Sequence, residues 1–477
     1  MTVIHEARFL QRASRDLSFP FSLSMGSEEP PLILTKSLRH LPGKRLTVLA
    51  HWQGKEVVAK LFFHPKWAAY YGEKDAKGVF QLMRASIPTA TLQFAGMSGV
   101  EGVFVVILNY LEDALSLQAK LLTASLEEKF FLWKDTVTLL GRLHEKRLIH
   151  KDFHGGNVLF QHQRAYVIDG AEIVKINSSL PMKKRLNDLA QCLVQEKDYV
   201  FLKKQWRSLL KEYMAATHLS FTDNEFNSME KYLASAEKKK NIKRKKKILR
   251  DCTEFLVISK RNHEFVCDRT LYDEELKNIL VNPAMCFIKP HRVLKAGNTA
   301  TVIAFPFKGR SLVLKRYNVK SFWHGVRRGF KSSRALRSWY YAHRLREQGI
   351  LTPRPVAFIE TRKQGWLREA YYLSEYCEGV SILEAMKAPI PFQKELIHQL
   401  KNLLERLSLS KLSHGDMKST NFLVTQKGLC LLDLDSMKEF DTLKGTKRAL
   451  QKDTTRFLQN WEHDKDFYHM LKSEMNS

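Results

Sequence analysis

Long apolar runs are missing from this 477-residue chain. The longest uninterrupted one, Val103-Phe104-Val105-Val106-Ile107-Leu108, falls far short of the roughly 20 residues that a bilayer-spanning helix needs. No membrane-crossing helix is expected. Residues 1–19 carry charges throughout and lack an apolar core, so a secretory leader is not expected either. Cysteine is sparse and scattered: Cys192, Cys252, Cys267, Cys286, Cys377 and Cys430 form no CxxC pair. That excludes a zinc ribbon and a disulfide scaffold, and it fits a reducing compartment. Negative charge is also short. Against 78 Lys and Arg stand only 50 Asp and Glu, a balance of +28. With 44% hydrophobic and 27% charged residues the chain is too apolar for a disordered protein, and its length predicts two or three folded domains.

A charge of this size favours polyanions: nucleic acid, an anionic membrane face or phosphorylated substrates. Two zones are denser. Residues 238–247 (KKKNIKRKKK) read either as a solvated helix or linker or as a polyanion contact. Residues 316–346 contain no Asp or Glu, and carry Lys320, Arg327, Arg328, Lys331, Arg334, Arg337 and Arg344. No nucleic-acid-binding motif accompanies either zone, and a nucleic-acid partner is not expected.

An internal repeat carries the chemistry. The first copy reads HKDFHGGN (150–157) followed by Asp169; the second reads HGDMKSTN (414–421) followed by Asp433. In each, Asp to Asn is five residues and Asn to the next Asp twelve, so all three positions are offset by 264. A short loop exposes Asp152 or Asp416, an apolar strand follows, and a hairpin return brings Asn157 beside Asp169, or Asn421 beside Asp433. Turn-forming Asp and Asn alone would not preserve both intervals. In protein-kinase-like folds such a loop Asp takes the proton of the attacking hydroxyl, and the Asn and later Asp hold Mg²⁺ against ATP phosphates. Two protein oxygens suffice for a hard cation that keeps its waters.

That reading demands partners upstream. LPGKRL (41–46) leads to VVAKLF (57–62), placing Gly43 over the phosphates and Lys60 against them. KAGNTATV (295–302) leads to Lys315, with Gly297, Asn298 and Thr299 in the covering loop. A helix is predicted over 75–86 and another over 333–348, each stopped by a following proline. The helix should supply a carboxylate to the lysine. Glu73 and Asp75 are the first-copy candidates; residues two apart on a helix point about 200° apart, so one faces the cleft, and Asp75 is preferred. The second copy has no acid in its helix region, leaving Lys315 without this partner. Gly415 replaces the usual loop Arg, so no phosphorylation switch is expected there. Lys418 is placed to steady a transferred phosphoryl group, and Asp188 to anchor the first loop, unless it is merely solvent-exposed.

At these residues the chain resembles the lipopolysaccharide core sugar kinase family (Kdo/heptose kinase type), a branch of the protein-kinase-like fold. HGDMKSTN, LLDLDSM (431–437), KAGNTATV and SRALRSWYYAHRL (333–345) match best, and the first-copy motifs are similar. The resemblance implies an α/β (α+β) protein of two tandem kinase-like domains, each with a small β-rich N-lobe and a mostly helical C-lobe. The domains are expected at 1–250, with a basic linker helix near 237–250, and at 251–477. It further implies ATP- and Mg²⁺-dependent phosphorylation of a sugar on an anionic glycolipid, the lipopolysaccharide core. The site would be the cytoplasmic face of a Gram-negative inner membrane, with the protein peripheral to that anionic surface. The acid-free zone is expected to dock the acceptor or the membrane. Two alternatives stay open: a kinase of another small molecule or of protein, and a pseudokinase half that regulates its twin.

Overall fold

The computed structural model describes residues 2–13, 17–194, 199–260, 262–318, 332–364 and 366–476. The chain divides into two compact units, one of Met1–Gln195 with Lys204–Glu237, the other of Glu196–Lys203 with Lys238–Ser477. Each is a kinase-like assembly of a seven-stranded sheet and a helical part that carries smaller two- and three-stranded sheets.

In the first unit the sheet centres on three antiparallel strands, Arg45–Trp52, Lys55–Phe62 and Phe104–Asn109. The lysine strand does not alternate apolar with polar because both its faces are covered, as expected of a central strand. Val57, Ala59 and Leu61 pack with Val105 and Ile107 against the N-terminal segment (Ile4, Leu10, Leu23). Phe62 packs with Phe104 and Val106 under the helix Ala68–Arg84. Lys60, one residue out of phase with the first set, is thereby aimed at the helix and the cleft. That helix begins seven residues before the predicted start. The aromatic run and Gly72 interrupt its pattern, yet Gly72 is what allows it to lie on Phe104: a Cβ there would come within 2.1 Å of the ring. On the helical side, Leu126–Glu145 starts with a capping box between Ser125 and Glu128 and buries Trp133, Val137, Leu140 and Leu143.

The second unit repeats the plan. Arg310–Tyr317 pairs with Ala300–Phe307 on one side and Trp366–Glu375 on the other. Helix Arg334–Glu347, capped by Ser333, lies on this sheet. Helices Ile390–Leu409 and Leu443–Leu458 build a core that includes Leu400, Leu407, Phe422, Phe457 and Trp461. Matching threonines join sheet to helical part in each unit: Thr89 Oγ1 donates to the Val167 carbonyl and Thr352 Oγ1 to that of Leu431, both at 2.8 Å.

The basic stretch at 238–247 ends the long helix Asp223–Lys247, and it is not simply solvated. Arg244 and Lys247 reach Glu254 at 2.8 and 2.5 Å, Arg244 also pairs with Glu347, and Lys245 lies over the Tyr340 ring. In the acid-free zone the described arginines have partners of their own. Arg334 pairs with Asp435 at 2.8 Å, Arg337 donates to the Met437 carbonyl at 2.7 Å, and the nearly buried Arg344 faces Glu439 at 3.8 Å. These three are committed inside the second unit. Lys320, Arg327, Arg328 and Lys331 lie outside the described residues. Among the described residues no helix is long and apolar enough to cross a membrane.

Candidate active site

In the first unit Lys60 Nζ meets both oxygens of Asp75, at 2.8 and 2.9 Å, and stands 3.8 Å from Asp169. Asp75 is fully buried while Glu73 is exposed, so the helix turns the former into the cleft. Asp75 Oδ1 also accepts from the Ala171 backbone, holding the turn that follows Asp169. Asp169 sits at φ 70°, a left-handed conformation that costs energy for a non-glycine residue and persists only where the surroundings enforce it. Gly43 turns the hairpin above with φ 71°, and Arg45, just beyond it, lies 3.8 Å from Asp169.

The loop is built around its histidine. His150 Nε2 donates to the Ile168 carbonyl at 3.0 Å while Nδ1 accepts from the Asp152 backbone at 3.2 Å. This pattern demands the neutral Nε2–H tautomer, and burial pushes the His150 pKa down in agreement. Asn157 Nδ2 donates to the Asp152 carbonyl at 3.0 Å, and the Asn157 carbonyl accepts from Ile168 N. The amide oxygen thus stays available next to Asp169. The Asp152 carboxylate is largely exposed and faces His154 Nε2 at 3.4 Å.

The second unit keeps the loop and changes the carboxylate. His414 Nε2 donates to the Leu432 carbonyl and Asn421 Nδ2 to the Asp416 carbonyl, both at 2.8 Å. Lys315 Nζ contacts Asp433 at 2.5 Å and Asp435 at 3.3 Å. The helix supplies no carboxylate to Lys315, as its acid-free sequence implies, and the lysine is positioned differently. The acid comes from the turn two residues past Asp433, and Arg334 on the helix holds it from the other side. The signal was present in the sequence as the second Asp of Leu432-Asp433-Leu434-Asp435. On the helix itself Ser338 hydrogen-bonds Tyr317 instead. Burial alone would raise the Asp433 pKa; Lys315, Arg334 and Lys295 together hold it below the usual value.

Two further residues were missed. Asp453, buried on helix Leu443–Leu458, accepts from His414 N at 2.8 Å and Gly415 N at 3.0 Å and so ties the loop to that helix. Nothing but its distance along the chain hid it. Asp188, proposed for the same task in the first unit, instead meets Lys184 at 2.7 Å and His144 at 3.6 Å. Arg456 reaches Asp416 at 2.8 Å, with Lys418 at 3.3 Å. Gly415 is required where it stands: its φ is 77°, and a Cβ would press to 2.4 Å of the Ser436 carbonyl. No arginine fits there.

A cavity of about 480 Å³ opens between sheet and loop of the second unit. Leu294, Val302, Val313 and Leu423 give it apolar walls; Glu375 to Cys377 form one end, and Lys315, Asn421 and Asp433 the other. Of the covering loop, Gly297 N bonds the Ala300 carbonyl, the Thr299 carbonyl accepts from Asn318 N and Arg334, and Asn298 lies at the tip between them. An apolar slot ending in a lysine and two oxygen ligands suits a flat base with a polyphosphate tail.

The donor set also fits a magnesium ion. Asp169 Oδ1 is buried and accepts no hydrogen bond, and both asparagine amides spend their NH₂ on the loop, which leaves oxygens for a cation. Among the described residues no group of three or more His, Cys, Asp or Glu gathers, as zinc would prefer.

Fold and site together define a tandem protein-kinase-like protein, each unit with a strand lysine, a carboxylate beside it, a loop Asp and an Asn–Asp pair. The model of the lipopolysaccharide kinase (Kdo/WaaP) family matches residues 62–213 and 287–472, and the chain belongs to that family. It is similar to the 3-deoxy-D-manno-octulosonic acid kinase of Vibrio cholerae serotype O1, 25% identical over 142 residues, covering 28% of this chain and 60% of that protein. A Vibrio vulnificus protein of the same name is 28% identical over 153 residues, covering 30% and 64%. The chain thus spans less than two thirds of the length of these relatives. Among solved structures, one titled WaaP in complex with acyl carrier protein aligns over 43% of this chain and 97% of its own, at 15% identity and TM-score 0.29. The Mycobacterium tuberculosis PknI kinase domain aligns over 35% and 74%, at 15% identity and TM-score 0.26.

Proposed function

We propose that the protein is an ATP-dependent kinase that phosphorylates a sugar hydroxyl of the lipopolysaccharide core, working at the cytoplasmic face of the inner membrane. The observation that carries this reading is the convergence of Lys315, Asn421 and Asp433 on an apolar cavity, with Asn421 also holding the Asp416 carbonyl, and with the same residue types recurring at Lys60, Asn157, Asp169 and Asp152.

Catalysis on such a site is positioning plus electrostatics. Lys315, pinned by Asp433 and Asp435, presents its ammonium to the phosphates without a conformational search. Asp416, held through its backbone by Asn421 and through its neighbours by Asp453, accepts the proton of the attacking hydroxyl. Lys418, beside it, stabilises charge on the phosphoryl group in flight. Asn421 and Asp433, like Asn157 and Asp169, would hold Mg²⁺, which when bound neutralises phosphate charge. Gly43, Gly297, Asn298 and Thr299 cover the phosphates. The formal charge of +28 supports a polyanionic acceptor at an anionic leaflet, where each apposed Lys or Arg contributes about 1 kcal/mol.

The turn carboxylate Asp435 favours a competent second unit over a pseudokinase one. Single Asp152→Ala and Asp416→Ala variants, assayed for ATP turnover with and without core glycolipid, test the proposal. Loss in one variant assigns the chemistry to that unit; full activity in the double variant rejects the enzyme reading as drawn.

A further inference from the structure

Beside Asp416 lies a second concavity of about 910 Å³, distinct from the nucleotide cavity. Its floor is the outer face of helix Leu443–Leu458, where Arg448, Lys452 and Arg456 recur every fourth residue. Lys418 and Asn460 close the end nearest the loop, and no carboxylate lines it. Three cations on one helical stripe repel one another at this spacing. Among the described residues Arg448 and Lys452 form no ion pair that would offset this, and both are exposed. The inner face of the same helix holds Asp453, which anchors the loop at His414 and Gly415. Asn460 is fixed by Ser419 Oγ at 2.8 Å. The stripe is thus rigidly coupled to the loop Asp.

We infer that this groove binds an anionic group, a carboxylate or phosphate, that the acceptor saccharide already carries close to the hydroxyl being phosphorylated. The inference rests on the kinase reading above and adds the acceptor subsite to it. A rise of about 1.5 Å per residue puts Lys452 about 6 Å, and Arg448 about 12 Å, along the helix from Arg456. Arg456 itself touches Asp416 at 2.8 Å. An anion on Lys452 therefore stands roughly one sugar ring from a hydroxyl at Asp416. The first unit keeps only one end of this stripe: at offsets of 264 and 265, Arg448 corresponds to Lys183, whereas Lys418, Lys452 and Arg456 correspond to His154, Asn187 and Gln191. The groove thus assigns recognition of the charged acceptor to the second unit.

The full-length Arg448→Ala/Lys452→Ala variant tests this, since neither side chain contacts Asp416. Deacylated, acidic core oligosaccharide serves as the probe. The expected result is an acceptor KM raised about 30-fold with kcat and the KM for ATP little changed, and recovery in Arg448→Lys/Lys452→Arg. In an Asp416→Asn background, calorimetry should show oligosaccharide binding that the double substitution abolishes. An unchanged acceptor KM with intact turnover overturns the groove and leaves the kinase reading standing. Groove-dependent oligosaccharide binding without phosphate transfer in the wild type does the reverse. If the variant instead loses only its binding to phosphatidylglycerol vesicles, the groove reads a lipid surface and the inference falls. Lys452→Gln alone, with its melting temperature measured, guards against misfolding.

Discussion

Replacing Asp75 by asparagine removes one charge from a pair that is almost wholly out of water. Asp75 is 0% exposed and Lys60 10%, and the two meet at 2.8 Å. Stripping one partner from a buried ion pair costs about 3–5 kcal/mol, because the other charge is left without compensation. Asparagine keeps an oxygen for Ala171 N, and Asp169 at 3.8 Å offers Lys60 a weaker alternative, so the lower end of about 3 kcal/mol applies. At about 2–4 °C per kcal/mol for a unit of this size, the melting temperature should fall by about 6–12 °C. Scanning calorimetry of the full chain reads this directly. The Lys60→Met/Asp75→Asn variant removes the stranded charge and should regain most of the lost stability, while nucleotide no longer raises the first unit's melting temperature. A shift below about 2 °C for Asp75→Asn, or a double variant no more stable than the single one, would refute the argument.

Two other outcomes follow from the second unit. Cys377 lies 3.4 Å from Cys430, and the hydrogen bond between the two thiols, opposed by burial, lowers the Cys377 pKa. Since Cys377 lines the cavity of the second unit, iodoacetamide at pH 7.5 should alkylate it well before the buried Cys192, whose thiol is pushed up to about 12. ATP should protect it, and peptide mass spectrometry showing equal labelling with and without nucleotide would count against the cavity. His343 packs edge-on against Trp339 and Phe255, and loss of solvent around its ring followed by Arg244 and Arg346 lowers its pKa to about 3. Below pH 6.5 the unfolded chain takes up a proton that the folded chain refuses. Stability should therefore fall from pH 6.5 towards 3, by at most about 1.4 kcal/mol per pH unit. In urea titrations His343→Leu should flatten that slope; an unaltered slope would exclude His343 as its source.

What could be read from the chain followed distance along it. The Asp–Asn–Asp intervals, the hairpins they imply and the lysine strands are local, and the repeat at an offset of 264 made each copy a check on the other. Asp75 was within reach because it lies one helix from Lys60. Asp435 is visible beside Asp433 in the sequence, but its pairing with Lys315 spans 120 residues, and Asp453 meets Gly415 from 38 residues away. Helix Ala68–Arg84 begins earlier than its sequence predicts, where Gly72 lies close on Phe104, a contact between residues 32 apart that local pattern does not show. The arginines at 334, 337 and 344 read as a free basic face because their acceptors, Asp435, the Met437 carbonyl and Glu439, belong to the loop about a hundred residues on.

Helix Ala68–Arg84 and the turn after Asp169 touch through bare backbone. A methyl group at Gly78 would come to 1.8 Å of the Gly170 carbonyl, and one at Gly170 to 2.4 Å of the Asp75 carbonyl. With no side chain between them there is no cushion to compress and no rotamer to turn. The two parts are also tied by the Ala171 N–H on Asp75, so a helix that swung away would break that bond and bare the backbone of both.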